Sequence, residues 1–147
     1  MPPSPWDIGY DDYMRSVKTA HVLNMWAEEM GEDALLEQYG VTPGELRARL
    51  DNADWLLYSA NELALLLGFK EQLNHLRKAR LRLKYGIREE LLTFVKLKGI
   101  GRNRARNLYK NNVKGLADLR KIPLQRLGQI IGPKTAEKIK EQLGEMD

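Results

Sequence analysis

The residues best suited to act on another molecule lie in the run Leu97-Lys98-Gly99-Ile100-Gly101-Arg102-Asn103-Arg104-Ala105. Its glycines permit a tight turn and let the backbone approach another molecule closely. A helix is predicted from about Arg102 to Lys110, and the unpaired N–H groups of its first turn would face an anion, ideally a phosphate. Contacts from backbone to phosphate hold a nucleic acid without reading its sequence. Lys96, Lys98, Arg102, Arg104 and Arg106 surround the turn with positive charge. A hydrophobic-x-Gly-hydrophobic-Gly turn leading into a helix is the helix-hairpin-helix pattern. The same residues also read as a plain connector between helices or as a protein–protein contact.

A second, degraded copy follows 31 residues later, where Ile131-Gly132-Pro133-Lys134-Thr135-Ala136 aligns with Ile100-Gly101-Arg102-Asn103-Arg104-Ala105. Lys134 is the candidate DNA contact of this copy. Ile130 replaces Gly99, which leaves open whether this second backbone comes close enough to touch DNA.

Trp55 is the third feature. With Trp55 at zero and about 100° per residue, Leu56, Leu57, Ala60, Leu63, Ala64 and Leu67 span roughly 80° to 200°, an apolar face. Asp51, Asn52, Ser59 and Glu62 fall within roughly 60° of Trp55, so the indole is predicted on the polar side. Arg47 and Tyr58 flank that stripe if the helix is unbroken. An aromatic beside a guanidinium has the composition of a base-stacking platform for single strands. Its alternative role is packing on a neighbouring helix.

The elements that must position these residues are helical, because alternating strand patterns are scarce. A first helix is predicted from Asp11 or Asp12 to about Met30, and a short one from Glu32 to Tyr39 closed by Gly40. Thr42-Pro43-Gly44-Glu45 is a capping box opening a helix that runs to Leu67, with Asp51-Asn52 as a possible break. Phe69 to Tyr85 is the next helix, closed by Gly86. Helices over Arg88–Leu97, Arg102–Lys110, Leu116–Arg120 and Pro133–Leu143 complete an all-α chain. The boundary falls near Tyr85–Arg88, dividing a helical bundle over 1–86 from a smaller unit over 87–147.

Composition narrows the function classes. With 43% hydrophobic residues in 147, the chain can bury a core, so full disorder is excluded. No cysteine is present, which excludes disulfides, thiolate metal sites and a cysteine nucleophile. His21 and His75 leave almost nothing for a histidine metal site, and His21 reads as a packing residue. No apolar run approaches the roughly 20 residues of a membrane span, and MPPSPWDIGYDD has no signal-peptide core. The expectation is a soluble intracellular protein with no membrane partner. The net charge of +4 hides a division: residues 1–72 carry 5 Lys+Arg against 13 Asp+Glu, whereas 73–147 carry 19 against 7. Such asymmetry points to a polyanion as partner of the basic half. There is no GxxxxGK[ST] loop, dinucleotide fingerprint or GxSxG elbow, and no catalytic constellation.

Val41-Thr42-Pro43-Gly44-Glu45-Leu46-Arg47, Asp51-Asn52-Ala53-Asp54-Trp55-Leu56-Leu57-Tyr58-Ser59, Gly86-Ile87-Arg88-Glu89-Glu90-Leu91-Leu92 and the run from Gly99 to Tyr109 together carry a resemblance. Over about residues 10–143 the chain resembles the C-terminal part of archaeal superfamily-two DNA repair helicases of the Hel/Hjm group, related to the helicase part of polymerase theta. The resemblance implies a ratchet domain up to about residue 86 and a helix-hairpin-helix domain after it. It implies a fragment whose ATP-hydrolysing motor lies before Met1, so that ATP and Mg are cofactors of the full-length helicase and not of these residues. It further implies a Trp that stacks on a base, matched by Trp55, and an Arg about two turns earlier. That Arg position falls on Ala48, between Arg47 and Arg49, and Arg47 is assigned because its helical angle is nearer Trp55. Arg102, Arg104 and Arg106 resemble the cluster that grips the emerging strand. Single-stranded or forked DNA is the implied partner, with replication or single-strand-binding proteins beside it, for a monomer in the archaeal cytoplasm. The rival reading is a protein-interaction module whose tandem hairpins dock on repair or replication proteins.

Overall fold

The computed structural model describes residues 1–146. Among these residues the chain forms eight α-helices and one short 3-10 segment, with no strand, as the helical periodicity requires. It divides into two compact units, the first being Met1–Gly86 and the second beginning at Ile87.

The first unit contains α1 (Tyr10–Ala27), α2 (Glu32–Tyr39), α3 (Pro43–Leu66) and α4 (Lys70–Tyr85). Local signals set their ends. Gly40 takes φ +65°, and its N–H donates to the Leu36 carbonyl, closing α2. The Glu45 N–H donates to Thr42 Oγ1 at 3.3 Å while the Thr42 N–H donates to the Glu45 carboxylate at 2.8 Å, so the capping box is complete. The Thr42 backbone N–H thereby holds the Glu45 carboxyl below its ordinary value. At Asp51-Asn52 there is no break: α3 continues for 24 residues, about 36 Å.

α1 ends at Ala27 and not near Met30. Glu29 adopts φ +71°, and Arg82 Nη2 donates to the Ala27 carbonyl at 3.3 Å and pairs with Glu28. A guanidinium thus closes the C-terminal end of α1, where the helix dipole favours a cation. Val22, Leu35, Val41 and Leu46 form the buried core, with Met25, Trp26, Met30, Tyr39 and Leu50 packed around it. His21 is exposed and bonds the Tyr39 hydroxyl at 3.0 Å.

The apolar face predicted for α3 is divided. Ala64 is buried and Leu57 and Ala60 are half-buried, but Leu56, Leu63 and Leu67 are exposed. The helix turns the Leu46, Leu50, Leu57 and Ala64 side inward, which leaves the adjoining stripe uncovered.

The second unit contains a 3-10 segment (Glu89–Leu91), then α5 (Arg102–Lys110), α6 (Leu116–Lys121), α7 (Leu124–Ile131) and α8 (Pro133–Glu145). The helix expected over Arg88–Leu97 is absent beyond that single 3-10 turn. Leu91, Leu92, Phe94, Val95 and Leu97 are all buried, which successive turns accomplish and a helix with one inward stripe does not. The sequence pattern predicts no helix over α7. Its Gly128 lets α8 approach: a Cβ there would lie 3.3 Å from Pro133 Cα. Phe94, Ile100, Ala105, Leu108, Leu119, Leu127, Ile131, Ala136 and Ile139 build the core of this unit.

Candidate nucleic-acid interface

Because α3 turns Leu46 and Ala64 inward, Trp55 is carried to the opposite side, where it is 67% exposed. Asp51, Asn52 and Glu62 on the same stripe are exposed as well. Arg47 is exposed and, since α3 is unbroken, lies about 12 Å back along the helix. Arg49 is half-buried, and its Nη1 is enclosed without a hydrogen-bond partner. Of the two arginines beside Ala48, Arg47 is therefore the more exposed.

The α3 stripe is braced from α4. Arg80 donates to both Asp54 oxygens, at 2.6 and 3.0 Å, and lies over the Tyr58 ring at 5.1 Å. These charge-assisted bonds hold the Asp54 carboxyl below its usual value and raise Arg80 above its own.

The first hairpin is built by two different glycines. Gly99 takes φ +92°, in the region only glycine enters without strain, and Gly101 is the extended N-cap of α5. The N-cap of α5 is a glycine and makes no side-chain cap bond, and the first-turn N–H groups of a helix have no intrahelical acceptor. The turn is held from behind: the Lys98 N–H donates to Gln142 Oε1 at 2.9 Å, and Gln142 Nε2 donates to the Lys98 carbonyl at 3.0 Å. The Lys98 amide is thereby occupied, whereas its side chain is exposed.

The arginines of α5 are not equivalent. Arg104 is exposed and donates to the Gly99 carbonyl at 2.9 Å, while Arg102 is half-buried. Arg106 pairs with Glu90 at 3.1 Å, lies over Tyr109 at 5.5 Å and is only 22% exposed along its side chain. Lys96 is exposed.

In the second hairpin, Ala136 is buried like Ala105, and its N–H bonds the Gly132 carbonyl just as Ala105 bonds Gly101. Lys134 is exposed on the first turn of α8. Ile130, in place of Gly99, stays within α7, and the positive φ moves to Gly132 at +93°. A β-branched residue resists the left-handed turn that Gly99 makes, so the helix continues instead.

Gln142 and Glu90 escaped sequence reasoning because their partners lie far along the chain. The basic run of α4 was visible, but its placement against α3 was not.

Comparison with known proteins agrees with this architecture. Residues 1–86 match the family described as archaeal helicase, domain 4, and residues 89–145 match the SAM-like helix-hairpin-helix tandem. The chain is 42% identical over 137 residues to the ATP-dependent DNA helicase Hel308 of Caldivirga maquilingensis, covering 90% of this chain and 18% of that protein. It is 43% identical over 141 residues to Hel308 of Thermococcus kodakarensis, covering 94% of this chain and 12% of that protein. For Hel308 of Pyrococcus horikoshii the identity is 38% over 145 residues, with coverage of 95% and 20%. The chain thus spans a fifth or less of the length of the curated relatives it matches. It belongs to the archaeal helicase domain 4 family, with a helix-hairpin-helix tandem following that domain.

Proposed function

We propose that this chain is the strand-gripping part of an ATP-dependent DNA repair helicase, binding single-stranded or forked DNA without catalysis of its own. In this reading Trp55 stacks on a base from the outer stripe of α3, with Arg47 at the neighbouring backbone. The α5 amides beyond Gly99 and Gly101 hold phosphates, assisted by Lys98, Arg102 and Arg104. Arg106 acts chiefly by holding α5 to Glu90, and Lys134 adds charge at the second hairpin.

The observation that carries this reading is the 67% exposure of Trp55 on a helix whose opposite side is the core. A large indole left in solvent costs apolar burial, and a base-stacking role accounts for its place. Membership of a helicase family supports DNA as the ligand, and the similarity to ATP-dependent DNA helicases supports the helicase context. No helix among the described residues is long and apolar enough to cross a membrane.

The residues present do not fit the ATP and Mg of such an enzyme. The sequence has no GxxxxGK[ST], and among the described residues no group of three or more His, Asp or Glu is arranged to hold a metal. We assign that chemistry to the portions of the relatives outside the matched span, and a strand grip needs none of it.

Titration of this chain with a single-stranded oligonucleotide at several salt concentrations tests the reading. Binding that weakens steeply and log-linearly with salt supports it. No binding at low salt, combined with a concentration-dependent mass, favours the protein-interaction reading instead.

A further inference from the structure

The charge division in the sequence does not coincide with the division into folded units. The first unit carries 10 Lys+Arg and 13 Asp+Glu, and six of those ten cations lie on α4: Lys70 at its start, then Arg77, Lys78, Arg80, Arg82 and Lys84. An otherwise acidic unit therefore holds one basic wall. Arg77, Arg80 and Lys84 line an open cleft of about 790 Å³ between α3 and α4, together with Arg47, Asp51 and Asp54 of α3. Leu50, Leu81 and Leu83 supply its apolar lining.

Within the cleft the charges are unequally satisfied. Asp54 and Arg80 are spent on each other through their two hydrogen bonds. Arg47 and Arg77 are exposed and make no ion pair among the described residues. Lys84 is exposed, with its ammonium over the Tyr85 ring at 5.4 Å. After the Asp54–Arg80 pair is set aside, three cations face the single carboxylate of Asp51. The cleft thus keeps a net positive charge on a unit whose formal balance is negative.

Position ties the cleft to Trp55. Asp51, which lines it, stands one turn before Trp55 and only about 40° away around α3, while Arg47 and Asp54 lie about 80° and 100° to the same side. The indole therefore stands at the rim of a cationic groove. A base stacked there brings its own backbone phosphate to the groove's edge.

We propose that the α3–α4 cleft is a phosphate-binding site for a nucleic-acid backbone, with Arg77 and Lys84 of α4 and Arg47 of α3 as its ligating cations. Asp54–Arg80 is the brace that fixes the spacing of its walls. The site rests on the reading of Trp55 as a base-stacking residue, and it assigns the phosphate of that strand to α4, which neither the hairpin motif nor the Trp55 stripe includes.

The test uses the full chain and single-stranded oligothymidylate, with a double variant Arg77→Gln/Lys84→Gln. A second double variant, Lys18→Gln/Lys70→Gln, removes the same charge from exposed positions outside the cleft. Thermal melting establishes that all three proteins are folded. The expected result is roughly ten-fold weaker binding at low salt for the cleft variant, with a log–log salt slope shallower by about one, and near-wild-type behaviour for the control. Quenching at saturation stays unchanged, since Trp55 is intact. On an abasic strand of equal length, which retains phosphates and lacks bases, the same difference between wild type and cleft variant persists. If wild type binds and is quenched but the cleft variant matches it in affinity and slope, the cleft is wrong and the Trp55 reading survives. Equal losses in both double variants, or loss of the difference on the abasic strand, also overturn the phosphate site. Absence of wild-type binding overturns both readings together.

Discussion

The indole of Trp26 covers Gly86 so closely that a Cβ at position 86 would lie 2.5 Å from Trp26 Cε2. The same indole donates its Nε1–H to the Leu83 carbonyl at 2.7 Å, fastening α1 to the last turn of α4. Gly86 also holds φ +62°, so two independent constraints demand glycine there. Gly86→Ala is expected to destabilise the protein by about 2 kcal/mol or more, because the left-handed backbone alone costs an alanine about 1–2. Trp26→Phe removes the hydrogen bond to Leu83 and the outer indole carbons over Gly86, costing at least about 1 kcal/mol. Chemical denaturation checks both, and equal stability of wild type and Gly86→Ala contradicts the packing.

Arg104 and Arg106 separate grip from fold. Arg104→Gln is expected to weaken single-stranded DNA binding several-fold and to leave the melting temperature nearly unchanged, since its side chain is exposed and loses only a solvent-exposed bond to the Gly99 carbonyl. Arg106→Gln breaks the pair with Glu90 and uncovers Tyr109, lowering stability by about 0.5–1 kcal/mol. Melting curves recorded beside binding isotherms distinguish the two, and interchangeable behaviour refutes the assignment.

Acid should loosen the α3–α4 contact. Hydrogen bonds from Arg80 hold the Asp54 carboxyl below its ordinary value of 3.8. A carboxylate depressed by folding contributes fully above its unfolded value and loses that contribution as pH falls through the folded one. Stability therefore declines with acidification below about pH 4, and Asp54→Asn removes part of that decline. Because both side chains are nearly half exposed, the variant loses only about 0.5–1 kcal/mol at neutral pH. Parallel wild-type and Asp54→Asn curves across the acid range would show the pair to be idle.

Gln142 tests whether the first hairpin works as a preset turn. Gln142→Leu removes both bonds to the Lys98 backbone without changing charge or the residues that face DNA. The expected result is a loss of about 1–2 kcal/mol and a several-fold drop in DNA affinity at unchanged salt slope. Unaltered affinity in a destabilised variant would confine Gln142 to a structural role.

The parts of the fold legible in the sequence were those written in local signals. Gly40, Gly86 and the Thr42–Glu45 box mark helix ends by chemistry that acts within a few residues, and those ends fall where the signals place them. Arg88–Leu97 misleads because its apolar residues, at 91, 92, 94, 95 and 97, are spaced too densely to separate one helical face from buried turns. α7 was hidden behind Pro123 and interrupted by Gly128, which serves packing against Pro133. The outward face of Trp55 followed from angular arithmetic, but the inward face was only half right, since Leu56, Leu63 and Leu67 remain exposed. Arg80–Asp54, Arg106–Glu90 and Gln142–Lys98 join residues 16 to 44 apart, and no local rule reveals such pairs.

Strand binding in this proposal turns on Trp55 stacking on a base. Trp6 is also exposed, so the decisive measurement is tryptophan quenching and affinity for single-stranded DNA compared between wild type and Trp55→Ala under identical salt. Trp55→Ala is expected to lose most of the DNA-induced quenching and about 1–3 kcal/mol of binding, with its salt slope retained. Quenching and affinity equal to wild type would contradict it.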